Sequence, residues 1–349
     1  MIIVDDQLPI IARILGEVSD VLCVDGRSIN RELLIRTNAT ALFIRTVTHV
    51  SHGLIDGTNV RFIASASAGR DHIDDDLLGY GGHLNIVHAP GCNAQAVAEY
   101  VVTWLDHFAI PLSARLGIVG FGNVGSLLAR LMIGRGMSVL VNDSPLASLG
   151  YAFPAAVAHV DLDELLCESD VVSLHVPFTE SGDHPTKGLI TAQRMERMQG
   201  GATLINTSRG GIVDEAALAR EVNRGRLRAV LDVYDNEPNI TPEVVRTIPY
   251  CSPHIAGYSE VAKVRASRMV LKAYRQWSGL DFAIPEQQEL MTRRRSAEED
   301  RAIIVNHPFR DMWRADPTAD TFAACRRLTP LRSEHLRPPT WEDLHVLHD

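Results

Sequence analysis

Two successive α/β domains, each a doubly wound parallel sheet, are predicted by three observations. Short apolar segments alternate with polar or helical stretches from the first residue to about residue 255. A glycine signature, Gly120-Phe-Gly-Asn-Val-Gly125, lies between one such segment and an amphipathic stretch. Arg209, Glu237 and His254 each follow the end of an apolar segment in the second half of the chain, where ligands bind in sheets of this kind.

The strands of the first domain are read at Ile2 to Val4, Val21 to Val24, Ala41 to Ile44 and Arg61 to Ala64. A helix with Pro111 inside it is expected between Tyr100 and the glycine signature. The second domain continues with a strand at Leu116 to Gly120 and a helix from Asn123 to Arg135, whose Val124, Leu127, Leu128, Leu131 and Met132 have helical spacing. Further strands are expected at Ser138 to Asn142, Val171 to Val176, Ala202 to Asn206, Ala229 to Val233 and Tyr250 to Ser252. Helices fall between them at Ala192 to Met198 and Asp214 to Arg224. From Val261 to Trp277, the residues Ala262, Ala266, Met269, Val270, Ala273, Tyr274 and Trp277 share one helical face, which predicts a helix packed back on the first domain. The expected boundaries are therefore 1–92 plus 256–283 for a discontinuous first domain, 93–255 for the second, and 284–349 for a small C-terminal appendage rich in Gln, Glu, Arg and Pro.

Each glycine of the signature has a physical task. Gly120 permits a sharp turn, Gly122 lets the backbone approach a diphosphate, and Gly125 lets the helix pack closely on the strand. The diphosphate would sit on the free N–H groups and positive dipole end of the helix that Asn123 and Val124 open. Asp143, at the end of the next strand, is placed to accept hydrogen bonds from ribose hydroxyls and would repel a 2′-phosphate, so the Rossmann-like second domain is expected to bind NAD rather than NADP.

The polar set fits hydride transfer at a carbon beside a carboxylate. Arg209 can grip that carboxylate through two parallel hydrogen bonds. His254 has the right chemistry to take a hydroxyl proton near neutrality, and Glu237 can fix its tautomer and stabilise the imidazolium.

Composition narrows the function classes. The 349 residues carry a formal charge of −9, with 46% hydrophobic and 22% charged side chains, which suits an ordinary globular protein and argues against a surface that seeks nucleic acid or anionic membrane. The one dense basic run, Arg293 to Arg295, is followed at once by Glu298, Glu299 and Asp300 and reads as a solvated helix face. Five scattered cysteines imply neither a disulfide frame nor a zinc site, and no metal is expected. The N-terminus begins directly as a strand and no stretch is apolar enough to span a bilayer, so a cytoplasmic location is expected.

These residues, in these motifs, resemble the D-isomer-specific 2-hydroxyacid dehydrogenases over about residues 1 to 280. The likeness within the family rests on Ile3-Val-Asp-Asp6, Arg45-Thr-Val-Thr48, Ala66-Ser-Ala-Gly69 with Asp71-His72, Ala89-Pro-Gly-Cys-Asn93 with Glu99-Tyr100, and Pro253-His-Ile-Ala-Gly-Tyr258. The resemblance implies that Arg209, Glu237 and His254 are active-site residues and that Thr46, Ser67 and Tyr258 contact substrate. It implies cofactor contacts at Asp143, Val176, Thr207, Asp232 and Gly257. It implies oxidation of a phosphorylated 2-hydroxy acid, 4-phospho-D-erythronate, with NAD in pyridoxal 5′-phosphate biosynthesis, by a homodimer whose C-terminal region serves dimerisation. Arg70 departs from the small polar residue expected before Asp71-His72, and Arg45 or Arg70 is a candidate to hold the substrate phosphate. Two other readings share the same residues: a dehydrogenase of glycerate, phosphoglycerate or lactate, and a non-enzymatic NAD-sensing protein resembling a corepressor.

Overall fold

The computed structural model describes residues 1–78, 82–292 and 295–345, so Arg293 and Arg294 of the basic run lie outside the described residues. The chain divides into two compact units, Met1–Asn93 with Ser259–Arg294 and Ala94–Tyr258 with Arg295–Asp349. No helix among the described residues is long and apolar enough to cross a membrane.

Among the described residues the first unit is built on five strands: β1 (Ile2–Asp5), β2 (Val21–Val24), β3 (Ala41–Ile44), β4 (Phe62–Ser65) and β5 (Asn85–Val87). They pair in parallel in the order β2-β1-β3-β4-β5. Successive side chains point to opposite faces of a strand, and here both faces are buried. Ile2, Val4, Phe43 and Phe62 pack on one side, against Ile11 and Leu15 of the helix Pro9–Gly16. Ile3, Leu42, Ile44 and Ile63 pack on the other, against Leu33, Leu34 and Leu54. The helix Glu260–Ser278 returns to the first of these faces with Ala266, Val270, Leu271 and Tyr274. Tyr274 meets Phe43 and Phe62 edge-on at 5.2 and 5.1 Å. That helix starts at Ser259, whose hydroxyl accepts from the Ala262 amide, and stops at Gly279 in the left-handed conformation.

The described residues of the second unit form seven parallel strands: β6 (Arg115–Val119), β7 (Ser138–Asn142), β8 (Ala158–His159), β9 (Val171–Leu174), β10 (Thr203–Asn206), β11 (Arg228–Leu231) and β12 (Tyr250–Cys251). Their order is β12-β11-β10-β9-β6-β7-β8, which puts the topological switch point between β6 and β9. Strands β9 and β11 stop earlier than their apolar runs suggest, because Val176 and Val233 belong to loops beyond the sheet edge. β5 and β8 carry no apolar signal long enough to be read as strands. The helix Ala94–His107 ends before Pro111, which lies outside it, contrary to expectation. Ala109 takes a left-handed φ of 50° that closes the helix, and proline is tolerated in the turn that follows.

Of the residues expected as an appendage, 284–292 go with the first unit, and 295–345 fold onto the second unit and extend its core. Phe309 and Trp313, and likewise Phe322 and Cys325, recur at turn spacing on the helices Phe309–Ala315 and Ala319–Leu328 and join the cluster of Leu231, Tyr234 and Val245. Ile304 and Leu344 enter the second cluster, around Trp104 and Leu128. Replacing Phe309 by Ala should therefore cost about 3–5 kcal/mol in urea denaturation. A cost below about 1 kcal/mol would show that the tail contributes little to this core.

Candidate active site

Every strand of the second sheet is parallel, so all its carboxyl ends fall on one edge, and the loops that leave that edge carry the polar residues. The glycine loop leaves β6 at the switch point. Gly120 has φ +94°, and a Cβ there would lie 2.7 Å from the His175 carbonyl oxygen, so both conformation and space require glycine. A Cβ on Gly125 would sit 1.9 Å from the Gly120 carbonyl oxygen, which is how closely the helix Asn123–Gly134 approaches the strand. A Cβ on Gly122 would meet nothing within 4 Å. No side chain caps this helix, and Gly122 and Asn123 are exposed, with Val124 half-buried behind them. The bare, open helix start fits the diphosphate of a dinucleotide.

Asp143 follows β7 and faces this loop. Its Oδ2 accepts from the Phe121 amide at 2.7 Å and its Oδ1 from the Leu146 amide at 3.0 Å, which leaves each oxygen a lone pair for a ribose hydroxyl. Val176 follows β9, and its Cγ1 would stand 3.0 Å from a Gly120 Cβ. Thr207, after β10, places its hydroxyl 3.5 Å from His175 Nδ1. Burial lowers the His175 pKa to about 3, so that imidazole is neutral.

Arg209 lies in a loop shaped by Asn206, whose amide donates to the Arg209 carbonyl at 2.9 Å and whose Oδ1 accepts from the Ser208 hydroxyl at 2.8 Å. The Arg209 guanidinium donates to the Ser208 carbonyl at 2.7 Å. A Cβ on Gly210 would fall 1.8 Å from the Tyr234 carbonyl oxygen, so this loop lies flat on the backbone of the next one. That next loop carries Glu237, whose Oε1 accepts from the Tyr234 amide at 2.8 Å and whose Oε2 lies 2.8 Å from His254 Nδ1. A carboxylate can only accept, so Nδ1 carries a proton, and in the neutral imidazole Nε2 holds the lone pair that can take another. Burial pushes the Glu237 pKa up, but His254, the Tyr234 amide and the Arg326 charge outweigh it and hold the carboxyl below its ordinary value.

His254 has φ 58°, a left-handed conformation costing roughly 1–2 kcal/mol for a residue with a Cβ. Its amide donates to the Asp232 carbonyl at 2.8 Å. The Asp232 side chain is fully buried and accepts from the Ser252 hydroxyl at 2.5 Å and from the Ile255 and Ala256 amides at 2.7 and 2.8 Å. Enclosed in this way, Asp232 shapes the segment that carries His254, Gly257 and Tyr258. The Tyr100 hydroxyl adds a 2.6 Å bond to Ser252.

Thr46 and Ser67 belong to the first unit, past the ends of the neighbouring strands β3 and β4. Thr46 is exposed, and the Ser67 hydroxyl lies in a chain with Ser65 at 2.6 Å and, through Ser65, with His72 at 2.8 Å. Arg45 donates from Nε to the buried Asp5 at 3.0 Å, whereas Arg70 forms an exposed pair with Asp75 at 3.4 Å. Among the described residues no group of three or more His, Cys, Asp or Glu side chains is placed to hold a metal ion. Two contributors escape the sequence. Glu215 looks like an ordinary first-turn helix acid, yet it is buried and accepts from the Asp235 amide at 2.7 Å. Arg332 lies far along the chain, and no local pattern marks it.

Comparison with known proteins gives these residues a context. Residues 110–256 match the profile of the D-isomer specific 2-hydroxyacid dehydrogenase, NAD binding domain. An erythronate-4-phosphate dehydrogenase of Marinomonas sp. (strain MWYL1) is 38% identical over 288 residues, covering 80% of this chain and 73% of the relative. One from Sodalis glossinidius is 34% identical over 363 aligned positions, covering 100% and 94%. Among solved structures, the TT0316 protein of Thermus thermophilus superposes with a TM-score of 0.65 at 26% identity, over 79% of this chain and 97% of that one. The D-lactate dehydrogenase of Aquifex aeolicus, complexed with NAD and lactic acid, shares the fold with a TM-score of 0.63 at 24% identity, over 82% and 100%.

Two outcomes follow from the geometry. Gly125→Ala should destabilise the chain by about 3 kcal/mol, while Gly122→Ala, with open space around it, should leave stability within about 0.5 kcal/mol; thermal melts would compare them. Burial, first, pushes the Glu215 pKa up from 4.5 to about 7, the Asp235 amide opposes the shift, and the charges of Asp235 and Glu237 add to it. The folded state thus holds a proton that the unfolded chain releases, so stability present below pH 4.5 is lost as pH rises toward 7. Glu215→Gln keeps the acceptor and removes that loss, and should be more stable than the parent by about 2 kcal/mol at pH 8 but not at pH 4.5 in urea titrations. Equal pH dependence in the two proteins would refute the assignment.

Proposed function

This chain belongs to the D-isomer-specific 2-hydroxyacid dehydrogenase family, and from that premise we propose that it oxidises 4-phospho-D-erythronate to (R)-3-hydroxy-2-oxo-4-phosphooxybutanoate in pyridoxal 5′-phosphate biosynthesis. The carrying observation is the His254–Glu237 pair, on the same sheet edge as the glycine loop and Arg209. The choice of acid is supported by relatives named for that substrate at 34–39% identity.

Bound at the glycine loop, NAD supplies the acceptor for the hydride that leaves the alcohol carbon. His254 Nε2 takes the hydroxyl proton as the carbonyl forms, and Glu237 stabilises the resulting imidazolium. Arg209 grips the substrate carboxylate and fixes the neighbouring carbon. Gly122, Asn123 and Val124 would meet the diphosphate, Gly120 and Gly125 give the cofactor loop the shape that presents them, and Asp143 would hold the adenosine ribose. Val176, Thr207 and Gly257 line the nucleotide, while Asp232 acts from behind by shaping the loop of His254. Thr46, Ser67 and Tyr258 would contact the substrate, and Arg45, paired with Asp5, or Arg70, paired with Asp75, would meet its phosphate. In this reading the described residues of the first unit form the substrate domain, and the enzyme works in the cytoplasm as a homodimer.

The test is NADH formation by the purified protein at mildly alkaline pH with 4-phospho-D-erythronate, D-glycerate, 3-phospho-D-glycerate and D-lactate. Turnover should be confined to the four-carbon phosphate, and His254→Ala should lower kcat by about 10²–10⁴. Preference for another acid would overturn the substrate, and undiminished turnover by His254→Ala would overturn the mechanism.

A further inference from the structure

Arg332 is only 3% exposed although it comes from the tail. Its Nη2 donates to the carbonyl oxygens of Ile255 at 3.1 Å, of Ala256, and of Ala96 at 3.4 Å. Its own amide donates to the Tyr258 carbonyl at 3.3 Å. The residues that follow His254 are thus held from both sides. Asp232 takes the amides of Ile255 and Ala256, and Arg332 takes their carbonyls.

The clamp is itself held in place. The amides of His335 and Leu336 donate to Glu99 Oε1 at 2.8 and 2.7 Å. The Ser333 amide and His335 Nε2 each lie 2.8 Å from Asp300 Oδ2. The guanidinium carbon stands 5.9 Å from the Tyr100 ring centroid, and Tyr100 bonds Ser252 on the other arm of the same loop. Burying a guanidinium is costly before its partners are counted, which a residue that only filled space would not require. Two of the carbonyls it serves, Ile255 and Ala256, belong to a non-helical, non-strand turn in which the Ile255 carbonyl also takes the Tyr258 amide at 2.8 Å, and the third, Ala96, belongs to the helix Ala94–His107, so the guanidinium ties that turn to the helix.

We propose that Arg332 is a positioning residue for the reaction, acting through His254: it locks the backbone of residues 255–258 and thereby holds the imidazole against Glu237. The proposal rests on the reading of His254 as proton acceptor and assigns to the tail a part in the chemistry.

The experiment compares Arg332→Met and Arg332→Lys with the parent in the full-length protein. NADH affinity, set largely by the glycine loop, should stay within about threefold, while kcat per NADH-binding site falls about tenfold to a hundredfold in Arg332→Met and recovers in part in Arg332→Lys. The Arg332→Met/His254→Ala double variant should be no slower than His254→Ala alone. In proton NMR the downfield His254 Nδ1–H resonance, assigned by its absence in His254→Ala, should be lost from Arg332→Met. The proposal is overturned by kcat within about twofold of the parent, by additive losses in the double variant, or by an unchanged resonance. If Arg332→Met does not fold, Arg332→Lys is judged by the same measurements. If the parent prefers a different 2-hydroxy acid, the comparison is made with that acid. If the parent turns over none, the function fails while the resonance still decides the clamp.

Discussion

A carboxylate with no exposed surface must find donors inside the protein, and the way Asp232 finds them shapes the site. Its oxygens take the Ser252 hydroxyl and the amides of Ile255 and Ala256, which turns the chain sharply just past β12. His254 sits in the middle of that turn and accepts a left-handed backbone as the consequence. Burial raises the Asp232 pKa, while the His254 charge, the Ser252 hydroxyl and the two amides oppose that rise, so the network depends on every partner being in place. The His254 backbone and the two residues after it take their course from this buried group on one side, as they do from Arg332 on the other.

Much of this was legible in the sequence where the signal is local. β7 matches its apolar run residue for residue, because Ser138 to Asn142 is bounded by clear breaks. The glycines could be given separate tasks because each task is set within a few residues. Arg209, Glu237 and His254 could be placed on one rim because a parallel sheet sends all its strand ends the same way. The 2.8 Å bond between Glu237 and His254 could be expected in kind, though no sequence gives its length.

What stayed illegible is what depends on distance along the chain. The tail after residue 295 has few apolar residues, and its sequence resembles a loose appendage; only the fold shows Phe309 and Trp313 against Tyr234 and Val245. Arg332 has no local pattern at all, since its partners lie more than seventy residues away. Glu215 was hidden for the opposite reason, being so ordinary at a helix start that burial alone reveals it. Pro111 shows a local signal misapplied: one left-handed residue, Ala109, closes the helix and makes the proline harmless.

Gly210 lies so close to the Tyr234 backbone that no side chain fits between them. The loop that carries Arg209 and the loop that carries Glu237 are in effect one piece, and neither can be reshaped alone. Thr46 and Ser67 hang from a different sheet with its own core. Each sheet closes on its own core, so a lineage built on this plan can vary the residues beyond one sheet's edge without repacking the other.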